Sequence, residues 1–266
     1  MTHRLNEILT KEQQKVLEYR IDDISINEIL QQAIISGDIF LHEDGTIRLV
    51  PTEKKVRNFH TISGFIDRKP CPFLSFVYRV VYKQAIVPNG CKNCFKVKVV
   101  LRTMRELVAI RELAKEIGSL SKWGTDVDSK YNQCLYGGYF YTLGLDDAKK
   151  RFTQVRTLID EHPLLGTEIP MMIKRGCTHY EMRIGPSDQW EFDSALEPVE
   201  EVLYQLFSKQ KRTKAQKLID KQETFLNWLA TAFRIGDNTY LDFTDGKRLY
   251  PTVVTYHEIL PSKSDC

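Results

Sequence analysis

The stretch Phe95–Gly118, "FKVKVVLRTMRELVAIRELAKEIG", changes its hydrophobic period in mid-course. Phe95–Arg102 alternates as a strand does, whereas Met104, Leu107, Val108, Ile110, Leu113, Ala114 and Ile117 fall at helical spacing. A strand handed on to a helix by a short link is one half of a mixed α and β architecture. The segments on either side decide which kind.

Downstream, "CLYGGYFYTLG" (Cys134–Gly144) reads as a strand or a packed loop. Asp146–Glu161 reads as a helix with Ala148, Phe152, Val155, Leu158 and Ile159 buried, ended by His162-Pro163. "EIPMMIKR" and "THYEMRIG" read as adjacent strands around Gly176-Cys177. Two helices follow, over Ala195–Ser208 and Thr213–Phe233. A closing hairpin, "TYLDFTDGKRLYPTVVTYHE", is expected to turn at Asp245-Gly246. Upstream, "FLSFVYRVVYKQAIV" (Phe73–Val87) is strand-like, and the polar, basic run Thr52–Arg68 reads as a linker. Several strand pairs are joined by short turns. The chain is therefore expected to be α+β, with a mixed or antiparallel sheet and packed helices.

A small unit over residues 1–52 precedes this main domain of residues 53–266. Leu5, Ile8, Leu9, Val16 and Leu17 form one helical stripe. Ile26, Ile29, Leu30, Ala33 and Ile34 form another, opened by Ser25 and stopped at Gly37. "IFLHEDGTIRLV" then reads as a hairpin around Asp44-Gly45. Helices followed by a hairpin suggest a winged-helix-like module, but the third helix of such a module is not evident. The second stripe also carries no Lys or Arg for a DNA backbone.

Composition sets outer limits. The 266 residues include 42% hydrophobic and 27% charged residues, as in soluble globular chains, and the formal net charge is +3. That balance is too small to announce nucleic acid by itself. The polar start "MTHRLNEILTKEQQ" has no apolar signal region and no run is long enough to span a bilayer, so a cytoplasmic protein without a membrane partner is expected.

Six cysteines are present, and five of them (Cys71, Cys91, Cys94, Cys134, Cys177) lie between positions 71 and 177. Cytosolic thiols stay reduced, which favours ligation over a disulfide framework. Cys91 and Cys94 bracket a turn, where two thiolates can converge on one ion. Cys71 stands between two prolines, and Cys177 follows a glycine at a strand break. The expected centre is Cys71, Cys91, Cys94 and Cys177, with Cys134 as the alternative fourth ligand and Cys266 uninvolved. Dispersed single partners around one close pair suit an iron–sulfur cluster of the [4Fe–4S] kind, with zinc as the alternative. The centre would be redox-active or would stabilise a binding scaffold. A thioredoxin-like pair fits less well, because a strand and not a helix follows.

Four other constellations invite attention. On a strand from Thr178, His179, Glu181 and Arg183 would share a face and could serve acid–base or anion-binding chemistry. Asp188, Glu191 and Asp193 follow in a loop, and Asp242, Asp245 and Lys247 have the residue types of a metal-dependent hydrolase. "SKQKRTKAQK" carries Lys209, Lys211, Arg212, Lys214 and Lys217, the best basic cluster for nucleic acid. No glycine-rich phosphate loop, GxSxG or HExxH occurs. Two functions stand beside the metal protein: a nucleic-acid-binding or regulatory protein with buried cysteines, and a hydrolase using Asp, Glu and Lys. A nucleic-acid or protein partner is compatible with all three.

Overall fold

The computed structural model describes residues 3–50, 58–62, 71–127, 134–207, 213–250 and 256, with the backbone alone at 3, 4, 71 and 72. At its centre the period change is realised as expected. Cys94–Leu101 is a strand (β6) that buries Val97, Val99 and Leu101 on one face. Met104–Ile117 is a helix (α5), opened by the Thr103 hydroxyl accepting from the Glu106 N–H and closed by Gly118 at φ 66°.

Ser121–Thr125 (β7), Tyr136–Leu143 (β8), the helix Leu145–Glu161 (α6) and Met171–Arg175 (β9) follow in order. With the edge strand Phe59–Ile62 (β5) they make a five-stranded sheet ordered β5-β7-β8-β6-β9, every neighbour antiparallel. The two β-α-β units, β6-α5-β7 and β8-α6-β9, are each split by a strand of the other. This is the ferredoxin-like βαββαβ arrangement. The protein is thus α+β with an antiparallel sheet. β5 arises inside the stretch expected to be a linker.

One face of the sheet is the main core. Val97, Val99, Leu101, Tyr136, Phe140 and Trp123 pack there against α5, α6 and the long helix Lys214–Arg234 (α9). Gly138 is obligatory at that interface: a Cβ on it would lie 1.8 Å from the Trp123 ring.

The N-terminal residues form a second core. His3–Ile8 (α1), Lys11–Leu17 (α2) and Ile26–Ile35 (α3) precede the hairpin Ile39–Leu41 (β3) and Ile47–Leu49 (β4), and a short antiparallel pair, Arg20–Ile21 (β1) with Ile24–Ser25 (β2), lies between α2 and α3. Three helices, not two, therefore stand before the hairpin. Ser25 opens α3 in a reciprocal cap with Glu28, and Gly37 beyond it is at φ 79°. This core takes in the helices Cys71–Phe76 (α4) and Glu197–Leu206 (α8).

Three expectations are corrected. Phe73–Val87 is not a strand: α4 runs on into a π-helical turn over Val77–Val81, because Phe73, Leu74, Val77 and Tyr78 form a helical stripe into the second core. Thr178–Ile184 is a helix (α7) and not a strand. Gly176, at φ 58° with the Trp190 ring 2.4 Å from where its Cβ would stand, breaks β9, and Tyr180 and Ile184, four apart, bury together. The first arm of the closing hairpin is a 3-10 helix, Asn238–Phe243, opened by the Asp237 side chain accepting from the Thr239 N–H. The residues around Tyr256 on the other arm lie outside the described residues.

Candidate functional site

The face of the sheet opposite α5, α6 and α9 is set by the same alternation. With Val97 and Val99 turned inward, Lys96 and Lys98 turn outward, yet both are recessed, at 7% and 9% exposure. Register supplies their neighbours. Lys96 lies between Tyr141 on β8 and Lys174 on β9, and Lys98 between Tyr139 and Met172. On the far side of Tyr139 comes Lys122 of β7, and beyond it Thr61 of β5.

Cations and aromatic rings therefore alternate across the face. The Lys122 ammonium sits 3.8 Å from the centre of the Phe59 ring, and the Lys96 ammonium 5.1 Å from that of Tyr139. The Tyr139 hydroxyl donates to Asp126 at 2.6 Å. Gly137 makes room for that carboxylate, since a Cβ there would fall 2.3 Å from it.

At the β9 edge α7 folds against this face. Lys174 donates to Glu181. Burial, and after it the like charges of Lys96 and Lys98, hold the Lys174 ammonium below its ordinary pKa, with Cys177 pulling the other way. His179 is likewise held below its ordinary value, by burial first and then by Arg79, Arg183 and Lys96. Lysines and arginines from the π-helical turn, β6, β9 and α7 thus crowd one end of the face.

The row expected on a strand does not exist as such. On helix α7, His179 and Arg183 are one turn apart and Glu181 projects away from them. The three still belong to one neighbourhood, because Glu181 reaches Lys174 and His179 approaches Lys96.

Three of the expected ligands lie on segments that adjoin at the neighbouring corner. Cys91 closes the 3-10 turn Asn89–Cys91, Cys94 opens β6, and Cys177 follows β9. The Gly176 N–H donates to the Cys94 carbonyl at 2.7 Å, and Cys91 and Cys177 pack with Val87, Tyr180 and Trp190. The Lys92 carbonyl accepts twice from Arg175, and the Asn93 carbonyl accepts from the Gly144 N–H, so the Cys-x-x-Cys turn is tied to both neighbouring strands. Glu200, buried, accepts from the Asn89 N–H and the Tyr78 hydroxyl and pins the turn from behind.

Cys134 is at the other end of the sheet. It lies just before Tyr136, which pairs with Leu101, roughly 23 Å along β6 from Cys94. The side chain of Cys71 lies outside the described residues. Among the described residues Cys91, Cys94, Cys134 and Cys177 form no disulfide with one another, and no three His, Cys, Asp or Glu side chains form a group that could hold a metal.

The remaining candidates are spread out. Asp242 is engaged by Arg105 at 2.5 Å, while Asp245 and Lys247 are exposed in the turn beyond. Asp193 accepts from the Tyr19 hydroxyl and caps a 3-10 turn, and Asp188 and Glu191 are exposed. Lys214 and Lys217 are exposed in the first turns of α9, while Lys209, Lys211 and Arg212 lie outside the described residues. On α3 the exposed residues are Glu28, Gln32 and Ile35, which offer no cation to DNA. The outer face was the feature the sequence reading missed. Its signal was in "KVKVV", a strand whose valines alternate with lysines.

No known protein family, curated protein or solved structure matches this chain. Among the described residues no helix is long and apolar enough to cross a membrane.

Proposed function

We propose that the protein binds single-stranded nucleic acid across the outer face of its sheet. The observation that carries this reading is the placement of half-buried Lys122 and Lys174 on one face with the half-buried rings of Phe59 and Tyr139, the recessed Lys96 and Lys98 standing between them. Phosphates need cations, and unpaired bases need flat aromatic surfaces, and sheets of this kind bind RNA by stacking bases on aromatics of their central strands. Tyr139, half-buried, occupies such a strand, β8. A cytoplasmic location accords with it. Fluorescence anisotropy of a labelled single-stranded 12-mer, in RNA and DNA forms, tests it: binding that weakens as salt rises is expected, and no binding at 50 mM salt defeats it.

A cysteine-held metal is the second reading, favoured by the packing of Cys91 and Cys177 in one cluster and by the Gly176–Cys94 backbone bond beside it. Thiolates gathered on zinc or an iron–sulfur cluster would bring negative charge beside Lys174 and Lys96, and such a centre would brace the scaffold beneath the binding face. Cys71 remains the expected fourth ligand. Metal and sulfide analysis of anaerobically purified protein tests it. Stoichiometric zinc, or iron with sulfide, lost in Cys94→Ser, is expected; metal-free protein whose stability ignores that substitution defeats it.

A further inference from the structure

We propose that Asp126 is a positioning residue for base recognition: across the space left by Gly137 it holds the Tyr139 ring along β8, in the orientation on which an unpaired base stacks. The inference rests on the nucleic-acid reading and adds to it which part of the strand this end of the face grips.

An outward side chain in a strand stands roughly perpendicular to the sheet. Tyr139 is drawn down along the strand instead. Gly137 and Tyr139 are two apart on β8, so they face the same way and stand about 6.6 Å apart. A Cβ on Gly137 would lie 3.2 Å from an edge carbon of the Tyr139 ring and 2.3 Å from an Asp126 carboxylate oxygen. Both side chains therefore occupy the place that a residue at 137 would fill. Glycine inside a strand weakens it, and such a position marks a close approach of other groups. Here the groups are the Asp126–Tyr139 pair, while the neighbouring Gly138 serves the core on the opposite face.

The hydrogen bond is the anchor. The Tyr139 hydroxyl donates to the Asp126 carboxylate at 2.6 Å, the length of a charge-assisted bond. Asp126 is itself fixed: it is 6% exposed, and its N–H donates to the Leu135 carbonyl at 3.0 Å, just past the end of the β7–β8 ladder. Phe59 approaches the ring from β5, with centres 6.4 Å apart and planes at 45°, and the Lys96 ammonium approaches it from β6. The tyrosine is thus held at both ends, by its backbone in β8 and by its hydroxyl on a buried group beyond β7. A half-buried ring ordered before the ligand arrives loses no further side-chain freedom when a base stacks on it.

Two labelled 12-mers, each in RNA and DNA forms, test this with the full chain: one complete, and one lacking its central bases but keeping every phosphate. The unaltered protein should bind the complete oligomer about tenfold more tightly, as stacking of one base requires. Tyr139→Phe keeps the ring and removes the anchor, and should lower that ratio about threefold, the cost of ordering one side chain on binding. Asp126→Ala should lower it by the same factor, and the double variant no further. Affinity for the oligomer without central bases, and the slope of affinity against salt, should stay as they are in each variant; a general loss of structure would move both. Should Asp126→Ala fold poorly, Tyr139→Phe, at a half-buried position, decides alone. A ratio unchanged in Tyr139→Phe, losses that add in the double variant, or equal losses toward both oligomers overturn the positioning role and leave the nucleic-acid reading standing. Equal binding of the two oligomers by the unaltered protein does the same. Binding of none at 50 mM salt overturns both.

Discussion

Replacing Lys96, Lys98 and Lys122 together with Gln removes three of the four lysines on the outer face while leaving the Lys174–Glu181 pair intact. Each phosphate neutralised on a single strand contributes about 0.7 to the slope of log affinity against log salt. With all four lysines engaged the slope is about −2.8, so affinity should fall roughly 50-fold between 50 and 200 mM salt. With one left it is about −0.7, and the same interval should cost roughly threefold. Anisotropy titrations at four salt concentrations measure both slopes. Circular dichroism and a urea midpoint verify that the fold is retained. A folded variant whose slope equals that of the unaltered protein would refute the placement of the phosphates on this face.

Gly138→Ala puts a methyl carbon into the Trp123 ring at the centre of the main core, and should destabilise by about 1–3 kcal/mol, read as a lower urea midpoint; a change within about 0.5 kcal/mol contradicts the packing. His60 accepts from the Arg111 guanidinium, and burial, then Arg111, holds its pKa down at about 4. The unfolded chain therefore binds the proton first, and this contribution should be present at pH 7 and lost as pH falls from about 6.5 toward 4; His60→Gln should flatten that limb of stability against pH. Glu200 has the opposite sign: burial raises its carboxyl above the ordinary value, so the folded state binds its proton more tightly and stability should decline as pH rises through that raised value. Glu200→Gln should remove the decline, and an unchanged pH profile would contradict the burial as its cause.

What the sequence made legible follows from where periodicity was undiluted. α3, β6, α5 and α6 each bury one clean face, and their caps and glycine stops were readable: Ser25 and Gly37 around α3, Gly118 after α5. Phe73–Val87 misled because its aromatic and β-branched residues favour strands, whereas tertiary packing selected the helical spacing of Phe73, Leu74, Val77 and Tyr78. Thr178–Ile184 fits either period over so short a span, and what decided it was Gly176 facing the Trp190 ring, a contact between residues fourteen apart. β5 is a four-residue edge strand in a basic stretch, held by pairing with β7 and not by a face of its own. Of the site, the turn that carries Cys91 and Cys94 was readable from Pro88-Asn89-Gly90, whereas the distance of Cys134 from it needed the register of β6 with β8. The lysine face needed the whole strand order. Lys174 and Lys122 flank β6 and β8 only because the two β-α-β units interlock.

That interlocking ties the proposed binding surface to the completion of synthesis. β6 emerges early, but its outer neighbour β9 is drawn from residues 171–175, after both crossover helices. Until then one edge of β6 carries unpaired backbone groups, and a nascent or prematurely terminated chain ending before Met171 presents a valine-rich edge open to any other strand. The cross-strand pair Lys96 and Lys174 cannot form in such a fragment. A truncated product would lack the proposed binding surface and be prone to aggregate, so only a chain translated through β9 completes that face and loses the exposed edge in the same step.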